Sequence, residues 1–428
     1  MSVPTADADV RFLLRKLHLP VCLFGEGPGD RRERLKAVVM ERQEKGLAVP
    51  DLGVYSDLSS LPVGYQARMG ATALGPDALL GVRIAIARDS LLRASQRLSR
   101  ERNRQNDWDD FSRKRKNAIE LCQTIAVASS QVGDQRRALS AVSISDDGKF
   151  CATGSWTGAV KLWSLSDCME AGFNALEGHA HRVADVCFLD ADHGCFLASG
   201  ATNGEIKIWN LNSSNGDQVV LKGHKDRVSR LVRHRLSNLL LSSSFDLTWR
   251  MWDLETKQNV LVQSGHSRPV YGLAAHPDGG LAFTGDLGAG LRVWDLRTGH
   301  NVCDLKGHSK GILSIRAHYN GYTIASAGED NTARIWDIRQ RKVVGMLTGH
   351  LNLVSDVHFF GEDHNVLATV SFDRTMKFWD LESFSCLKSF QAHEDKVMRS
   401  SLLHNAHSAT IVTVSSDRTW KLWSGNLL

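Results

Sequence analysis

The sequence has no run of about 18 apolar residues, no Cys-x-x-Cys pair and no Gly-Lys-Ser/Thr phosphate loop. The first absence argues against a membrane-spanning helix, and the polar start MSVPTADADV predicts no secretory signal. The eight cysteines stand mostly in apolar stretches such as KFCATG, which favours buried thiols in a reducing compartment without disulfides. We therefore expect no metal site and no cofactor, in a chain that is 42% hydrophobic and can bury a large core.

Three alternating glycines in PVCLFGEGPGDRRERLKAVV, from Pro20 to Val39, superficially resemble a nucleotide-binding loop. The required phosphate ligands are missing, and Pro28 removes a backbone donor. The pattern Asp30-x-x-Glu33 is that of a helix capping box. Apolar residues at helical spacing stand on both sides of the glycines, at Val10, Leu13, Leu14, Leu17, Leu35, Val38 and Val39. We predict a helical hairpin over residues 1–45, in which the glycines turn the chain.

The positive charge is concentrated in one segment of the chain. The formal net charge is +5, and the segment from Arg83 to Lys116 has eleven Arg or Lys against five acids. We predict a basic amphipathic helix over residues 81–117, after an extended linker over residues 46–80. Its charges either contact RNA or partner proteins, or form a solvated face. The candidate contacts are Arg93, Arg97, Arg100, Arg104, Arg113, Lys114, Arg115 and Lys116.

Beyond residue 130 the sequence repeats with a period of 42 to 46 residues. A histidine precedes six of the seven repeated tryptophans by 28 to 30 residues, and Gly133 and Asp134 fill that place in the first repeat. This pattern resembles the WD repeat, whose units are four-stranded blades. The predicted fold is an all-β seven-bladed WD-repeat β-propeller over residues 118–428, with a small α-helical N-terminal extension. The seven tryptophans are Trp163, Trp209, Trp252, Trp294, Trp336, Trp379 and Trp423.

The WD resemblance implies a hydrogen-bonded chain of four side chains in several blades. Buried polar groups that lack partners cost about 1–3 kcal/mol each, so a satisfied chain would fix the blade geometry. Because Ser, His and Asp recur in several copies, we interpret them as structural residues and expect no catalytic site. The implied tetrads are His224, Ser244, Asp246 and Trp252; His350, Ser371, Asp373 and Trp379; and His393, Ser415, Asp417 and Trp423.

Two further features of the ring follow from the repeat. The chain ends soon after Trp423, so the outer strand of the last blade must come from upstream, and we predict that it lies at Leu121 to about Ala128. Gly288 replaces the turn aspartate in the fourth repeat, so we expect that turn to be the loosest. Residues just before each turn aspartate are candidates for partner contacts on the top face, or else pack against their own blade. They are Trp156, Phe245, Glu329 and Phe372.

The opening hairpin resembles the small splicing-factor motif, in which a leucine-rich helix leads into a Pro-x-x-x-Phe-Gly-Glu turn and an Arg-rich helix. Combined with seven WD repeats, the chain resembles the pre-mRNA processing factor 4 family of the U4/U6 small nuclear ribonucleoprotein (snRNP). SWTGAVKLWS and NGYTIASAGEDNTARIWDIRQRK support this resemblance. Gly288 departs from the family, which tends to keep an aspartate at that turn.

The resemblance implies a nuclear, non-catalytic scaffold of the U4/U6 snRNP and the U4/U6.U5 tri-snRNP in pre-mRNA splicing. Its implied partners are pre-mRNA processing factor 3, other U4/U6 proteins and the U4/U6 snRNA, contacted directly or lying nearby, with no membrane and no small-molecule substrate. The alternatives are a WD-repeat adaptor of a ubiquitin ligase, a signalling scaffold, or an enzyme. Co-purification of U4 and U6 RNA, of ligase subunits, or of neither would distinguish these hypotheses.

Overall fold

The computed structural model describes Val10, Leu14, Leu19, Leu176 and nine stretches of the chain. The nine stretches are 27–44, 76–104, 108–171, 178–191, 194–211, 218–236, 238–360, 365–404 and 408–426. The chain divides into two units, Met1–Arg68 and Met69–Leu428.

The first unit contains helix α1 (Pro28–Glu44). Pro28 occupies the first helical position, where its missing N–H costs nothing. The Asp30 carboxylate accepts a hydrogen bond from the Gly27 N–H (2.8 Å). Asp30 is therefore the last residue of a capping interaction that begins at Gly27, and not the first residue of a capping box with Glu33. A small core joins residues from both sides of the glycines, Val10, Leu14, Leu35 and Val39. The remainder of the predicted hairpin lies outside the described residues.

The second unit begins with two helices, α2 (Pro76–Arg104) and α3 (Trp108–Thr124). The prediction of a single helix over 81–117, after a linker reaching residue 80, was therefore wrong in its boundaries. The sequence explains why there are two helices, because Asn106 and Asp107 are residue types that favour a helix cap over a helix interior. Pro76 likewise suits the first position of α2.

The rest of the second unit is a seven-bladed β-propeller, in which seven antiparallel sheets surround a central channel. Blade one contains β2 (Leu139–Ile144), β3 (Phe150–Ser155) and β4 (Val160–Ser164). Isolated bridges from Val160 to Leu176 and from Trp163 to Glu170 continue its outer edge.

Blades two to six are four-stranded sheets whose strands follow chain order from the channel outward. Blade two contains β5 (Val183–Ala191), β6 (Gly194–Ala201), β7 (Ile206–Asn210) and β8 (Gln218–Leu221), and blade three contains β9 (Val228–Arg233), β10 (Leu239–Ser244), β11 (Thr248–Asp253) and β12 (Gln258–Ser264). Blade four contains β13 (Val270–Ala275), β14 (Leu281–Asp286), β15 (Gly290–Asp295) and β16 (His300–Lys306), and blade five contains β17 (Ile312–Ala317), β18 (Thr323–Gly328), β19 (Ala333–Asp337) and β20 (Lys342–Leu347). Blade six contains β21 (Val354–Phe360), β22 (Val366–Ser371), β23 (Thr375–Asp380) and β24 (Cys386–Gln391).

Blade seven joins the two ends of the ring. It consists of β25 (Val397–His404), β26 (Ser408–Ser415), β27 (Thr419–Asn426) and β1 (Ala126–Val132). Strand β1 pairs antiparallel with β27, from Ala126 opposite Ser424 to Val132 opposite Thr419. An upstream strand therefore closes the ring, but it lies later than the predicted Leu121–Ala128. Leu121 belongs to the end of α3 instead, because its apolar side chain is buried in the core between blades six and seven.

The hydrophobic core lies mainly between neighbouring blades. Trp379 of blade six, for example, packs with Ile335 and Leu347 of blade five, and Trp252 of blade three packs with Ile208 and Leu221 of blade two. Each tryptophan thus fills the space between its own sheet and the preceding one. This arrangement makes each blade depend on its neighbour for burial.

Candidate functional site

The repeated histidine, aspartate and tryptophan form a hydrogen-bonded chain within a blade. In blade three, His224 Nδ1 lies 2.8 Å from Asp246 Oδ2, and His224 Nε2 lies 2.7 Å from Ser242 Oγ. The Trp252 Nε1–H donates to the same Ser242 oxygen (2.8 Å). An ionised carboxylate can only accept, so His224 donates through Nδ1, and the Ser242 hydroxyl donates to Nε2. The chain links a loop, a strand, a turn and the tryptophan.

The electrostatics of the chain agree with these donor roles. Burial lowers the pKa of His224, against the raising effect of its Asp246 partner, which favours the neutral ring. Burial alone would raise the pKa of Asp246, but hydrogen bonds from His224 and Thr248 outweigh it and lower that pKa well below its ordinary value. The aspartate therefore stays ionised beside a neutral histidine.

The predicted hydroxyl members of the tetrads, Ser244, Ser371 and Ser415, were wrong. The structure has Ser242, Thr369 and Thr413 in these positions, each bonded to the histidine and the tryptophan of its blade. Strand register explains the difference. Trp252 of β11 lies directly opposite Leu240 of β10, so its diagonal neighbour on the same face of the sheet is Ser242, two residues after Leu240.

The three predicted serines have another role. Ser244 Oγ accepts a hydrogen bond from the Asp246 N–H (3.1 Å), and the same bond recurs from Asp373 to Ser371. Asp417 and Ser415 form it in blade seven. These serines therefore stabilise the tight turn that contains the aspartate. They act on the aspartate backbone, and the aspartate carboxylate in turn bonds the histidine.

Blade four retains a complete chain despite Gly288. His266 lies 2.9 Å from Asp286 and 2.6 Å from Thr284, and Trp294 donates to Thr284 (2.7 Å). Asp286 also accepts the backbone N–H groups of Gly288 and Gly290 (2.9 and 2.8 Å). The expectation that this turn is the loosest was wrong, because an aspartate two residues earlier supplies the missing carboxylate.

Blades one and two depart from the pattern in different ways. In blade one, Asp134 replaces the histidine and accepts hydrogen bonds from Ser155 and Thr157. In blade two, His179 contacts Ser199 (2.7 Å), but its Nδ1 has no partner among the described residues. Burial and the nearby Lys207 lower the pKa of His179 to about 4. The variation leaves the blades intact, which supports a structural role for these residues.

The predicted top-face residues are all half-buried. Three are aromatic rings that lie under a cationic side chain: Arg182 lies 5.0 Å from Trp156, and Arg227 lies 5.2 Å from Phe245. Lys396 lies 5.6 Å from Phe372. Glu329, the fourth, bonds through its N–H to the Gly311 carbonyl (2.8 Å). The aromatic residues thus lie partly against the propeller while keeping an accessible edge.

The first two arginines of the stripe on α2, Arg93 and Arg97, face the propeller. Arg97 forms a bidentate ion pair with Asp278 (2.8 and 3.0 Å) and donates to the Asn320 carbonyl (2.8 Å). Arg93 pairs with Asp89 (2.8 Å). These two guanidinium groups are therefore engaged within the chain, and the structure does not place them as free phosphate contacts.

The other basic candidates differ in how far their side chains are exposed. Arg115 pairs with Asp380 (2.7 Å) and with Glu382. Arg100, Arg113 and Lys116 are exposed on the helices. The side chains of Arg104 and Lys114 lie outside the described residues. The exposed side chains remain candidates for contacts with RNA or partner proteins, and Arg102 is a further candidate because it is exposed as well.

The sequence predicts an apolar side of α2 that includes Leu91 and Leu98, opposite the arginines, and in the structure this side forms a stripe exposed to solvent. Leu91 is 62% exposed and Leu98 is 48% exposed, and Leu80 and Ile84 continue the same face. The signal was available, because Ile84, Leu91 and Leu98 recur every seven residues. An exposed apolar face on an otherwise docked helix marks a protein-contact surface.

No helix in the part of the chain that the structure describes is long and apolar enough to span a membrane. Within the same residues, no cluster of three or more His, Cys, Asp or Glu side chains could hold a metal ion.

The N-terminal motif and the repeats both match known families. Residues 10–38 match the family described as pre-mRNA processing factor 4 (PRP4) like. A protein of Arabidopsis thaliana named U4/U6 small nuclear ribonucleoprotein PRP4-like protein is 38% identical over 204 residues, which cover 45% of this chain and 35% of the relative. The mouse (Mus musculus) U4/U6 small nuclear ribonucleoprotein Prp4 is 37% identical over 196 residues, covering 44% and 35%.

The U4/U6 small nuclear ribonucleoprotein PRP4 of Saccharomyces cerevisiae is 28% identical over 266 residues, covering 61% of this chain and 56% of the relative. The chain thus spans about a third to just over half the length of these curated relatives. The WD domain, G-beta repeat family matches seven segments, 129–164, 173–210, 217–253, 257–295, 299–337, 341–380 and 384–424. Each segment begins near the outer strand of one blade and ends on the third strand of the next. Since the segments cover more than half of the chain, the protein belongs to the WD-repeat family.

Proposed function

We propose that this protein is a non-catalytic scaffold of the U4/U6 snRNP and the U4/U6.U5 tri-snRNP, acting in the nucleus in pre-mRNA splicing. One observation carries the proposal: the PRP4-like motif at residues 10–38 stands in the same chain as seven WD repeats. WD propellers serve many functions, so the repeats alone would not direct the assignment. The names of the relatives point to the same particle.

A scaffold role accords with what the polar side chains of the blades do. The His, Asp and Ser/Thr groups recur from blade to blade, and their hydrogen-bonding capacity is used to join strands and turns. A rigid ring of this kind presents several surfaces to partners at once. The sequence-based hypothesis of an enzyme gains no support from this arrangement.

The apolar stripe of α2 is the surface best suited to a protein partner. Leu80, Ile84, Leu91 and Leu98 lie along one face, in the spacing that packs against a second helix. Arg88 and Arg102 are exposed beside this face. We propose that it receives an amphipathic helix with acidic flanks from another U4/U6 protein, with pre-mRNA processing factor 3 as the first candidate.

The exposed cations of the two helices are suited to RNA. Arg100, Arg102 and Lys116 are the described members, and guanidinium groups bind phosphates well. Replacing Arg100 and Lys116 by Glu should weaken association with U4/U6 RNA and reduce its salt dependence by roughly two charges. An unchanged salt slope would show that the snRNA lies nearby without touching these residues.

Immunoprecipitation of the full-length protein from nuclear extract tests the assignment. U4 and U6 RNA should be enriched over U1 RNA, together with a defined set of snRNP proteins. A second sample of the Leu91→Ser/Leu98→Ser variant should lose protein partners while remaining folded. Recovery of ubiquitin-ligase subunits without U4 or U6 RNA would overturn the proposal in favour of an adaptor.

A further inference from the structure

The central channel of the propeller contains a cavity of about 890 Å³. The first strand of every blade lines the ring, and the cavity follows these strands toward the loops that join the first and second strands. Asp146, Arg235, Pro277 and Tyr319, which belong to those loops, border it. The size is that of a small-molecule site.

Two arginines cross the channel above the cavity. Arg230 of β9 donates to the Leu313 carbonyl of blade five (3.0 Å) and to the Ser355 carbonyl of blade six (3.2 Å), and it pairs with Asp356 (3.3 Å). Arg399 of β25 donates to the Ser229 carbonyl of blade three (3.2 Å). These bonds join blades across the channel and make this part of the cavity lining polar.

The cavity lining carries an excess of positive charge. Five arginines face three aspartates, a formal excess of two with the histidines neutral. The arginines are Arg230, Arg233, Arg235, Arg316 and Arg399, and the aspartates are Asp146, Asp185 and Asp356. All three aspartates lie beside arginines of the lining, since Asp356 pairs with Arg230 (3.3 Å), Asp146 pairs with Arg233 (2.9 Å) and Asp185 lies 3.8 Å from Arg399. After this pairing, the lining still has a formal excess of two positive charges.

Donor groups in the lining are left without partners. Arg399 is 4% exposed, yet its Nη1 has no hydrogen-bond partner among the described residues, and the same holds for the half-buried Arg316 Nε. A buried guanidinium donor without an acceptor is costly. An anion bound in this positively charged cavity would supply the acceptor for such a donor.

We propose that this cavity binds a small phosphorylated anion, held by Arg399 and Arg316 at its inner end and by Arg235 at its mouth. Phosphate suits the site because guanidinium groups bind its oxygens in a fork geometry with charge assistance. Arg235, which also lies 5.8 Å from the Tyr319 ring, can reach a second phosphate nearer the loops. This inference does not rest on the proposed role in the snRNP.

Isothermal titration calorimetry of the full chain tests the proposal, with inorganic pyrophosphate and inositol trisphosphate as probes. Both should bind with a stoichiometry of one. Arg316→Gln and Arg235→Gln should each weaken binding by about tenfold or more, since each removes a charged donor. The matched control is Arg136→Gln, an exposed arginine outside the cavity lining that changes the net charge equally.

Because Arg235 is exposed, its replacement should leave the fold unchanged, which circular dichroism checks. Absence of binding by both probes at physiological salt would overturn the proposal. So would an equal loss in the Arg136→Gln control, which would show diffuse surface attraction. Binding of a ten-nucleotide single-stranded RNA that is equally sensitive to Arg316→Gln, with neither small probe bound, would assign the cavity to RNA instead.

Discussion

Helix α3 and the second half of α2 come from one basic segment, yet they meet the propeller with opposite chemistry. The first half of α2 resembles α3, because it buries Leu79 and Ile86 against blades three and four. Helix α3 buries its apolar side, with Ala118, Leu121 and Cys122 in the core between blades six and seven. Lys388 donates to the carbonyls of Gln123 and Ile125 at its end (2.9 and 2.7 Å). The second half of α2 instead docks through Arg93 and Arg97 and leaves its leucines in solvent.

The difference shows that an amphipathic sequence does not by itself say which face lies inward. The partner surface decides, because α3 lies on apolar side chains, whereas the second half of α2 lies on the loops of blades three to five, which offer Asp278 and backbone carbonyls. A helix held by ion pairs keeps its apolar face available to another protein. We therefore expect α3 and the buried side of the first half of α2 to act in stability, and the exposed stripe of α2 to act in assembly.

The largest effect should come from Leu121→Ala in α3. Removing a fully buried leucine should lower the free energy of unfolding by about 2–5 kcal/mol, measured by urea denaturation. Leu91→Ala on the exposed stripe of α2 is the matched control and should change it by about 0.5 kcal/mol or less. Burial raises the pKa of the neighbouring Cys122 thiol to about 12, so this thiol should resist alkylation at neutral pH until α3 is loosened. Equal destabilisation by both leucine variants would remove the distinction between the helices.

The next effect concerns Arg97→Ala in α2. It leaves the nearly buried Asp278 carboxylate without its ion partner, at a cost of about 1–3 kcal/mol. Hydrogen exchange should accelerate in the second half of α2 while α3 keeps its protection. Arg97→Lys should recover only part of the loss, because an ammonium cannot reproduce the fork that joins Asp278 and Asn320. Loss of protection throughout the propeller would contradict a local role.

A smaller loss is expected for Arg115→Gln in α3. Its guanidinium is partly exposed and pairs with the buried Asp380 carboxylate, so we expect a loss of about 1 kcal/mol in urea denaturation. Lys116→Gln, at the adjacent exposed position, should be nearly neutral. Identical values for the two variants would mean that the Asp380 pair adds nothing to the docking of α3.

The smallest effect on stability should come from Leu91→Ser combined with Leu98→Ser. Both side chains are exposed, so the free energy of unfolding should change by about 0.5 kcal/mol or less. Recovery of partner proteins from nuclear extract should nevertheless fall severalfold. Val344→Ser, at an exposed apolar position on β20, is the control and should recover partners normally. If the double variant recovered partner proteins normally, the apolar stripe of α2 would have no role in assembly.

The fold was predictable because its signal is repeated. Seven tryptophans at near-constant spacing specify seven blades, and the short C-terminal segment after Trp423 predicted a closing strand from upstream. The position of that strand was not predictable in the same way. Leu121, Cys122 and Ile125 suit a buried strand and a buried helix equally, and only packing against blades six and seven decides between them.

The candidate site was less predictable, since it depends on partners distant in sequence. Nothing in the local pattern says that Arg97 meets Asp278, 181 residues away. The hydroxyl of the tetrad could have been found, because a Ser or Thr stands ten residues before the tryptophan in all seven blades. The arginines in the channel carry no sequence signature, because they come together only when the ring closes.

The pairing of β1 with β27 has a consequence for synthesis of the protein on the ribosome. Strand β1 emerges early and can find its neighbour only after β27 has left the exit tunnel, so six blades can assemble before the seventh has its outer edge. During that interval β1 is an unpaired strand beside a growing domain, and a chaperone that shields such edges would be most needed then.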